Sequence, residues 1–157
     1  MKKLKNSLPL LLILSLIITA TVNLNPVYAG PTALYVEFPN GTASSIDEYY
    51  PTDTFTVEIN VTGAVNLFGF DFTLKYDPAV LTAAPSVTPG AFFEPDYYIW
   101  YEEVNNVVGY VWYAVSQIEY EGAVSGSGTL ATIGFTVQYP PSATNLDLCD
   151  TKLSDSN

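Results

Sequence analysis

Sixteen carboxylate side chains and no histidine set the first limit on chemistry in this 157-residue chain. Without imidazole there is no Ser-His-Asp or Cys-His nucleophile and no His-bearing metal site. Acid/base work would fall to paired carboxylates, as in glycoside hydrolysis. Glu102 with Glu103, and Glu119 with Glu121, are the pairs close in sequence. Glu102 and Glu103 are neighbours in a β-rich run, and a strand sends neighbouring side chains to opposite faces. Glu119 and Glu121 stand in a loop-like stretch with no partner residues around them. Scattered acids on a globular surface are ordinary surface charge. The sequence is therefore read as that of a non-enzyme, with no catalytic and no metal-binding residue. A lone Cys149 cannot staple its own chain. It reads as a small apolar residue near a strand end, with an intermolecular bond as the alternative.

Two other sets of residues carry recognition chemistry. Gly69, Asp71, Thr73 and Lys75 are the alternate positions between Phe68, Phe70, Phe72, Leu74 and Tyr76. That spacing is a strand with one apolar and one polar face, which places Asp71 on an outer surface as an acceptor for a partner's hydroxyls or amides. The plain alternative is a row of solvated strand residues. The second set is aromatic. Tyr97, Tyr98, Trp100 and Tyr101 face Tyr110, Trp112 and Tyr113 across Asn105-Asn106. With part of each run turned outward, Tyr98, Trp100, Tyr110 and Trp112 form a flat platform for sugar rings or for a protein partner. The alternative is a cross-strand ladder worth about 0.2–1 kcal/mol per pair.

The elements that position these residues all have a period of two. Phe55, Val57, Ile59 and Val61 alternate with polar residues, and Gly63 leads from them into the Leu67–Tyr76 strand. Asp77-Pro78 stops that strand. Ala131, Ile133, Phe135, Val137 and Tyr139 alternate in a later one, closed by Pro140-Pro141. Ala33–Phe38 makes a short first strand, and Asn145–Leu153 a weak last one. Phe92 and Phe93 plug one end of the core. Asn105-Asn106 turns a hairpin between Tyr97–Val104 and Val107–Val115, because Asn tolerates the left-handed conformation. Gly122–Gly128 reads as a flexible link. The expected fold is all-β, an antiparallel sandwich of about eight or nine short strands. Its expected core holds Phe68, Phe70, Phe72, Leu74, Tyr76, Ile133, Phe135 and Val137.

Charge and targeting narrow the setting. The chain has a formal charge of -11 and only five lysines, three of them at Lys2, Lys3 and Lys5. Those three precede the apolar run Leu8–Val22 and a Val27-Tyr28-Ala29 cleavage signature, so residues 1–29 are read as a secretory signal peptide. The run is short for a span, and no second one follows. The mature chain from Gly30 then carries -11 - 3 = -14, which disfavours nucleic acid and anionic membrane surfaces. Export gives meaning to the sequons at Asn40 and Asn60, both expected to be open to a glycan.

The phrases Gly69-Phe-Asp-Phe-Thr-Leu-Lys-Tyr-Asp-Pro-Ala-Val-Leu81, Pro89-Gly90, Gly126-Ser-Gly-Thr-Leu-Ala-Thr-Ile-Gly-Phe-Thr-Val137 and Leu153-Ser-Asp155 together resemble the cohesin domain over about residues 34–157. The resemblance implies a jelly-roll sandwich related to cellulose-binding modules. It also implies a receptor for dockerins, in a cell-surface or polysaccharide-degrading assembly. Any calcium would belong to the dockerin, so no cofactor is expected on this chain. The sequence is read as an archaeal or bacterial member outside cellulosomes, secreted and held at the cell surface. Asp71 matches an Asp that cohesins give to dockerins, whereas Gly69 stands where they have Asn. The family also continues past Leu-Ser-Asp into a further strand, so the domain at 30–157 is read as C-terminally incomplete. The alternatives are a carbohydrate-binding module of the related fold and a structural cell-surface domain.

Overall fold

The computed structural model describes residues 31–38, 50–93, 95–118, 122–138 and 144–155. The signal segment, Asn40, Glu119 and Glu121 lie outside them. Among the described residues there are eight strands: β1 (Ala33–Glu37), β2 (Thr54–Lys75), β3 (Leu81–Ala83), β4 (Thr88–Pro89), β5 (Tyr97–Asn105), β6 (Tyr110–Gln117), β7 (Val124–Val137) and β8 (Asp147–Asp155). All pairings are antiparallel.

The two apolar runs around Gly63 are one strand of 22 residues. The first half of β2 pairs with β1 and β7, and β7 pairs on with β3 and β4. Its second half pairs with β8 on one side and β6 on the other, and β6 pairs with β5. The molecule is therefore a jelly-roll sandwich whose two layers share β2. The strand changes layers between Gly63 and Asn66, both at positive φ, where the β2–β7 register shifts. Thr32 Oγ1 donates to the Gly63 carbonyl at 2.8 Å, and Ser127 and Ser125 Oγ accept from the amides of Gly63 and Asn66 at 3.2 and 2.9 Å. The Ser125–Gly128 stretch is thus the start of β7 and not a flexible link. Its serines satisfy the bend, and its Gly128 leaves room for Phe92: a Cβ there would come 2.9 Å from that ring.

The core follows the alternation. Phe70, Phe72, Leu74, Tyr76, Ile133, Phe135 and Val137 are buried. Tyr76 meets Phe135 edge-on across the layers at 5.2 Å. Phe93 is buried and packs at a tilt on Phe70, ring centroids 5.6 Å apart, which closes one end. Phe68 is the exception: it is half-buried and outside the buried cluster, and Leu67 is buried in its stead. The β2–β8 register shift between Leu67 and Gly69 breaks the period at that point.

The β5–β6 hairpin also differs from expectation. Asn105 pairs with Tyr110, so β6 begins at Tyr110 and not at Val107. The left-handed residue of the loop is Gly109 (φ 87), whose missing Cβ would sit 2.2 Å from the Tyr76 carbonyl. Asn105 Oδ1 accepts from the amides of Val107 and Val108. Asn106 serves through its side chain. Its Oδ1 accepts from Tyr76 Oη at 2.6 Å and the Ala83 amide at 2.8 Å, and its Nδ2 donates to the Ala83 carbonyl at 3.1 Å. The amide side chain pins the loop to the ends of β2 and β3.

Candidate functional site

β8, the second half of β2, β6 and β5 present one outer face, and pairing register decides what stands beside what. Thr73 lies opposite Trp112 and Lys75 opposite Tyr110. The Asp71 row and the aromatic set, separate in sequence, therefore share a surface.

Asp71 is the hub. Diagonal neighbours on one sheet face are within reach of long side chains, and Trp112 Nε1 donates to Asp71 Oδ1 at 2.7 Å. From the other side Lys152 Nζ donates to Oδ2 at 3.0 Å. Lys152 reaches it because β8 carries an extra residue between Cys149, opposite Thr73, and Lys152, opposite Asp71. Asp150 sits in this bulge at φ 50. The same bulge switches the inward phase of β8, so Leu148 and Leu153 both pack on the core although they are five residues apart. Only 22% of the Asp71 side chain is exposed, against 74% for Lys152. An ion pair with so exposed a lysine is worth about 0–1 kcal/mol, so the lysine is cheaply displaced.

A second bulge shapes β5. Ile99 pairs with Val115 and Tyr101 with Ala114, leaving Trp100 as the extra residue. Trp100 and Tyr101 are consequently both exposed, beside Tyr98. Trp100 Nε1 donates to Ser116 Oγ at 2.8 Å, so both indoles of the chain are tied by their N–H to a neighbouring strand. The rings are not coplanar, which corrects the expectation of a flat platform. Tyr98 and Trp100 meet at 72°, and Tyr101 and Trp112 at 44°. Tyr110 is half-buried and lines the same concavity as Trp112, with its hydroxyl on Glu103.

Glu102 and Glu103 part company. Glu102 Oε1 accepts from the Val87 amide at 2.7 Å. Glu103 accepts from the hydroxyls of both Tyr101 and Tyr110 on the outer face. Those two bonds hold its carboxyl below the usual range, and the carboxylate in turn pushes both phenols up. Tyr113 points the other way into the core, where burial raises its phenol.

The Asp71–Lys152 pair borders two shallow concavities. One, of about 410 Å³, is floored by Asp71, Thr73 and Lys75 and walled by Trp112 and Glu103 on one side and Asp150 on the other. The second, of about 430 Å³, lies over Gly69, Ala114 and Ser116 beneath Trp100. Gly69 is buried rather than open: a Cβ there would stand 2.8 Å from Ser154 Oγ. Its place in the row is a floor position. Tyr101, Glu103, Asp150 and Lys152 are the members of this face that alternation alone does not assign.

Asn60 overturns the expectation of an accessible sequon. It is 6% exposed between β1 and β7, and its Nδ2, the atom a glycan would need, donates to Glu37 Oε2 at 2.7 Å. Among the described residues no group of three or more His, Cys, Asp or Glu is placed to hold a metal ion, and no helix is long and apolar enough to cross a membrane.

A family model described as the cohesin domain matches residues 42–147. No curated protein matches the sequence. Among solved structures, the second type II cohesin module from the cellulosomal adaptor ScaA scaffoldin of Acetivibrio cellulolyticus aligns with a TM-score of 0.67 at 15% identity, covering 83% of this chain and 87% of that one. A mutant type II cohesin–X-dockerin complex of the same organism gives 0.64 at 16% identity, with 80% and 87% covered. A non-cellulosomal cohesin from the hyperthermophilic archaeon Archaeoglobus fulgidus gives 0.53 at 17%, with 68% and 70% covered. At these identities the structural likeness is one of fold.

Proposed function

The chain belongs to the cohesin domain family, and on that premise we propose that it is a non-catalytic, exported receptor whose β8–β2–β6–β5 face docks a dockerin-type module. The observation that carries this reading is the state of Asp71. Each of its oxygens has one donor and keeps lone-pair capacity for a partner, and the donor on Oδ2 is a lysine three-quarters exposed. A partner hydroxyl or backbone amide can take the place of Lys152 at little cost. Thr73 and Lys75 extend the contact row, while Gly69 is a floor position packed beneath Ser154 and Ser116. Family membership supports the recognition role, and the Lys2–Ala29 targeting pattern supports secretion to the cell surface. A calcium requirement would come from the dockerin.

The test is calorimetry against recombinant modules from the source genome that carry paired Asp-x-[Asn/Asp]-x-[Asn/Asp]-Gly loops, with and without calcium. At least one should bind, and only with calcium. Asp71→Ala and Thr73→Ala should each weaken it by about 1–3 kcal/mol. Binding that is unchanged in both variants would move the docking site off this face, and a panel with no binder would overturn the dockerin reading.

A further inference from the structure

The aromatic side of the same sheet has an organisation that docking at Asp71 does not use. The two concavities lie side by side along the strands, each with one indole. Trp112 stands at the first and Trp100 at the second, with the Asp71–Lys152 pair bordering both. Each indole is held by an N–H···O bond to an adjacent strand, so its orientation is set before a ligand arrives. Trp100 is 69% exposed and Trp112 37%. A pinned, exposed ring costs little side-chain entropy on binding.

We propose that this β5–β6 side is a binding site for a single neutral glycan chain, with successive sugar units in the two concavities. The C–H faces of a pyranose stack on indole, while its hydroxyls need acceptors and donors around the rim. Asp71, Glu103 and Asp150 supply carboxylate acceptors, and Thr73 and Lys75 supply donors, all within the Trp112 concavity. The Trp100 concavity is less polar, with Ser116, Ser154 and the shared Asp71–Lys152 pair, so the feature that repeats along the strands is the indole, as suits a chain of successive sugar rings. Charge selects the kind of glycan: three carboxylates against Lys75 and Lys152, in a chain of net charge -11, repel a polyanion. Ring geometry selects its form. Each indole has a tyrosine tilted against it, Tyr98 at 72° to Trp100 and Tyr101 at 44° to Trp112, and this uneven aromatic surface suits a lone chain better than a flat crystalline face. The two readings share the β8–β2–β6–β5 face, with Asp71, Thr73, Lys75 and Lys152 common to both, and rest on different observations: the lone pairs of Asp71 for the one, the two indoles for the other.

The chain's two tryptophans are both in this site, so intrinsic emission reports on it directly. The mature protein is titrated with cellohexaose, xylohexaose and mannohexaose, with the matching monosaccharides, with polygalacturonate and with microcrystalline cellulose. At least one neutral hexaose should give a saturable emission change and a calorimetric isotherm. Its monosaccharide, filling one concavity, should bind about tenfold more weakly or worse. Trp100→Ala and Trp112→Ala should each weaken the hexaose by about tenfold or more, as loss of an aromatic anchor does. Trp100 is exposed enough that its variant keeps the fold, checked by circular dichroism. Four results would overturn the proposal: no saturable response to any neutral hexaose, affinity unchanged in both variants, tighter binding of polygalacturonate, or retention on crystalline cellulose alone. None of them bears on the dockerin reading, which is scored with protein probes.

Discussion

Replacing Asn106 by alanine isolates the side chain that ties the β5–β6 loop to the rest of the sandwich. Asn106 is not among the residues at positive φ, so alanine suits its backbone and the loss falls on the amide group. Three bonds go: from Tyr76 Oη, from the Ala83 amide and to the Ala83 carbonyl. Tyr76 and Ala83 are 6% and 3% exposed, so their polar groups lose their partner at the edge of the interior, beneath an Asn106 that is itself exposed. A buried group left without its partner costs about 1–3 kcal/mol. Water entering the space of the lost amide recovers part of this at Ala83, which leaves about 3–5 kcal/mol in total. That is a large share of the roughly 5–15 kcal/mol that holds a domain together. Tyr76→Phe should cost only about 1 kcal/mol, because Asn106 Oδ1 keeps its bond from Ala83. The assay is urea unfolding followed by tryptophan emission and circular dichroism, with the midpoint shifting at constant slope. An Asn106→Ala cost below about 1 kcal/mol, or a Tyr76→Phe cost equal to it, would refute the account of Asn106 as a shared pin.

Phe72→Ala should destabilise by about 3–5 kcal/mol in the same assay, since it empties a fully buried site between Phe70 and Tyr113. The Glu103 cluster predicts a stability profile that falls at both ends. The folded pKa of Glu103 is depressed, so its contribution is present above the unfolded value of 4.5 and is lost as pH drops through the folded one. Those of Tyr101 and Tyr110 are raised, so theirs is present below 10.0 and is lost as pH climbs through the folded values. Glu103→Gln should flatten both flanks, and profiles of identical shape for the two proteins would contradict the assignment. Intact mass of the exported protein should correspond to a chain beginning at Gly30, and a mass retaining Met1–Ala29 would make the segment an anchor.

The layers of this sandwich could be read from the chain because burial of one face forces a period of two. Phe70, Phe72, Leu74, Tyr76, Ile133, Phe135 and Val137 all face the core as their spacing demands. What escaped the reading is the set of places where the period breaks. A bulge is fixed by the partner strand and leaves no mark of its own in composition. So Trp100 and Tyr101 come to share a face, and Lys152 reaches Asp71, only through pairings that single-chain alternation does not contain. The weakness of the pattern in β8 was itself the trace of its bulge, with Leu148 and Leu153 in opposite phase. The Gly-Ser run before Thr129 misled for a different reason. Small residues signal slack by composition, but here they satisfy the bend of β2 and clear space for Phe92. Asn106 was singled out for its backbone and matters for its side chain.

The layer-crossing strand has a mechanical consequence. Were a bound partner to pull on the outer face, tension would enter through the residues it grips. Asp71, Thr73 and Lys75 belong to the same continuous backbone as Phe55, Val57 and Ile59 in the opposite layer. Force applied at the face passes along covalent bonds into that layer, where β1 and β7 clamp β2 on both sides in antiparallel ladders. Drawing β2 lengthwise sets those rungs in shear, so that many must fail together instead of opening one after another. The layers then cannot be peeled apart at their packed interface without also breaking hydrogen-bonded rungs. The seam at Gly63–Asn66, where the ladder register shifts, is where such a chain would first yield.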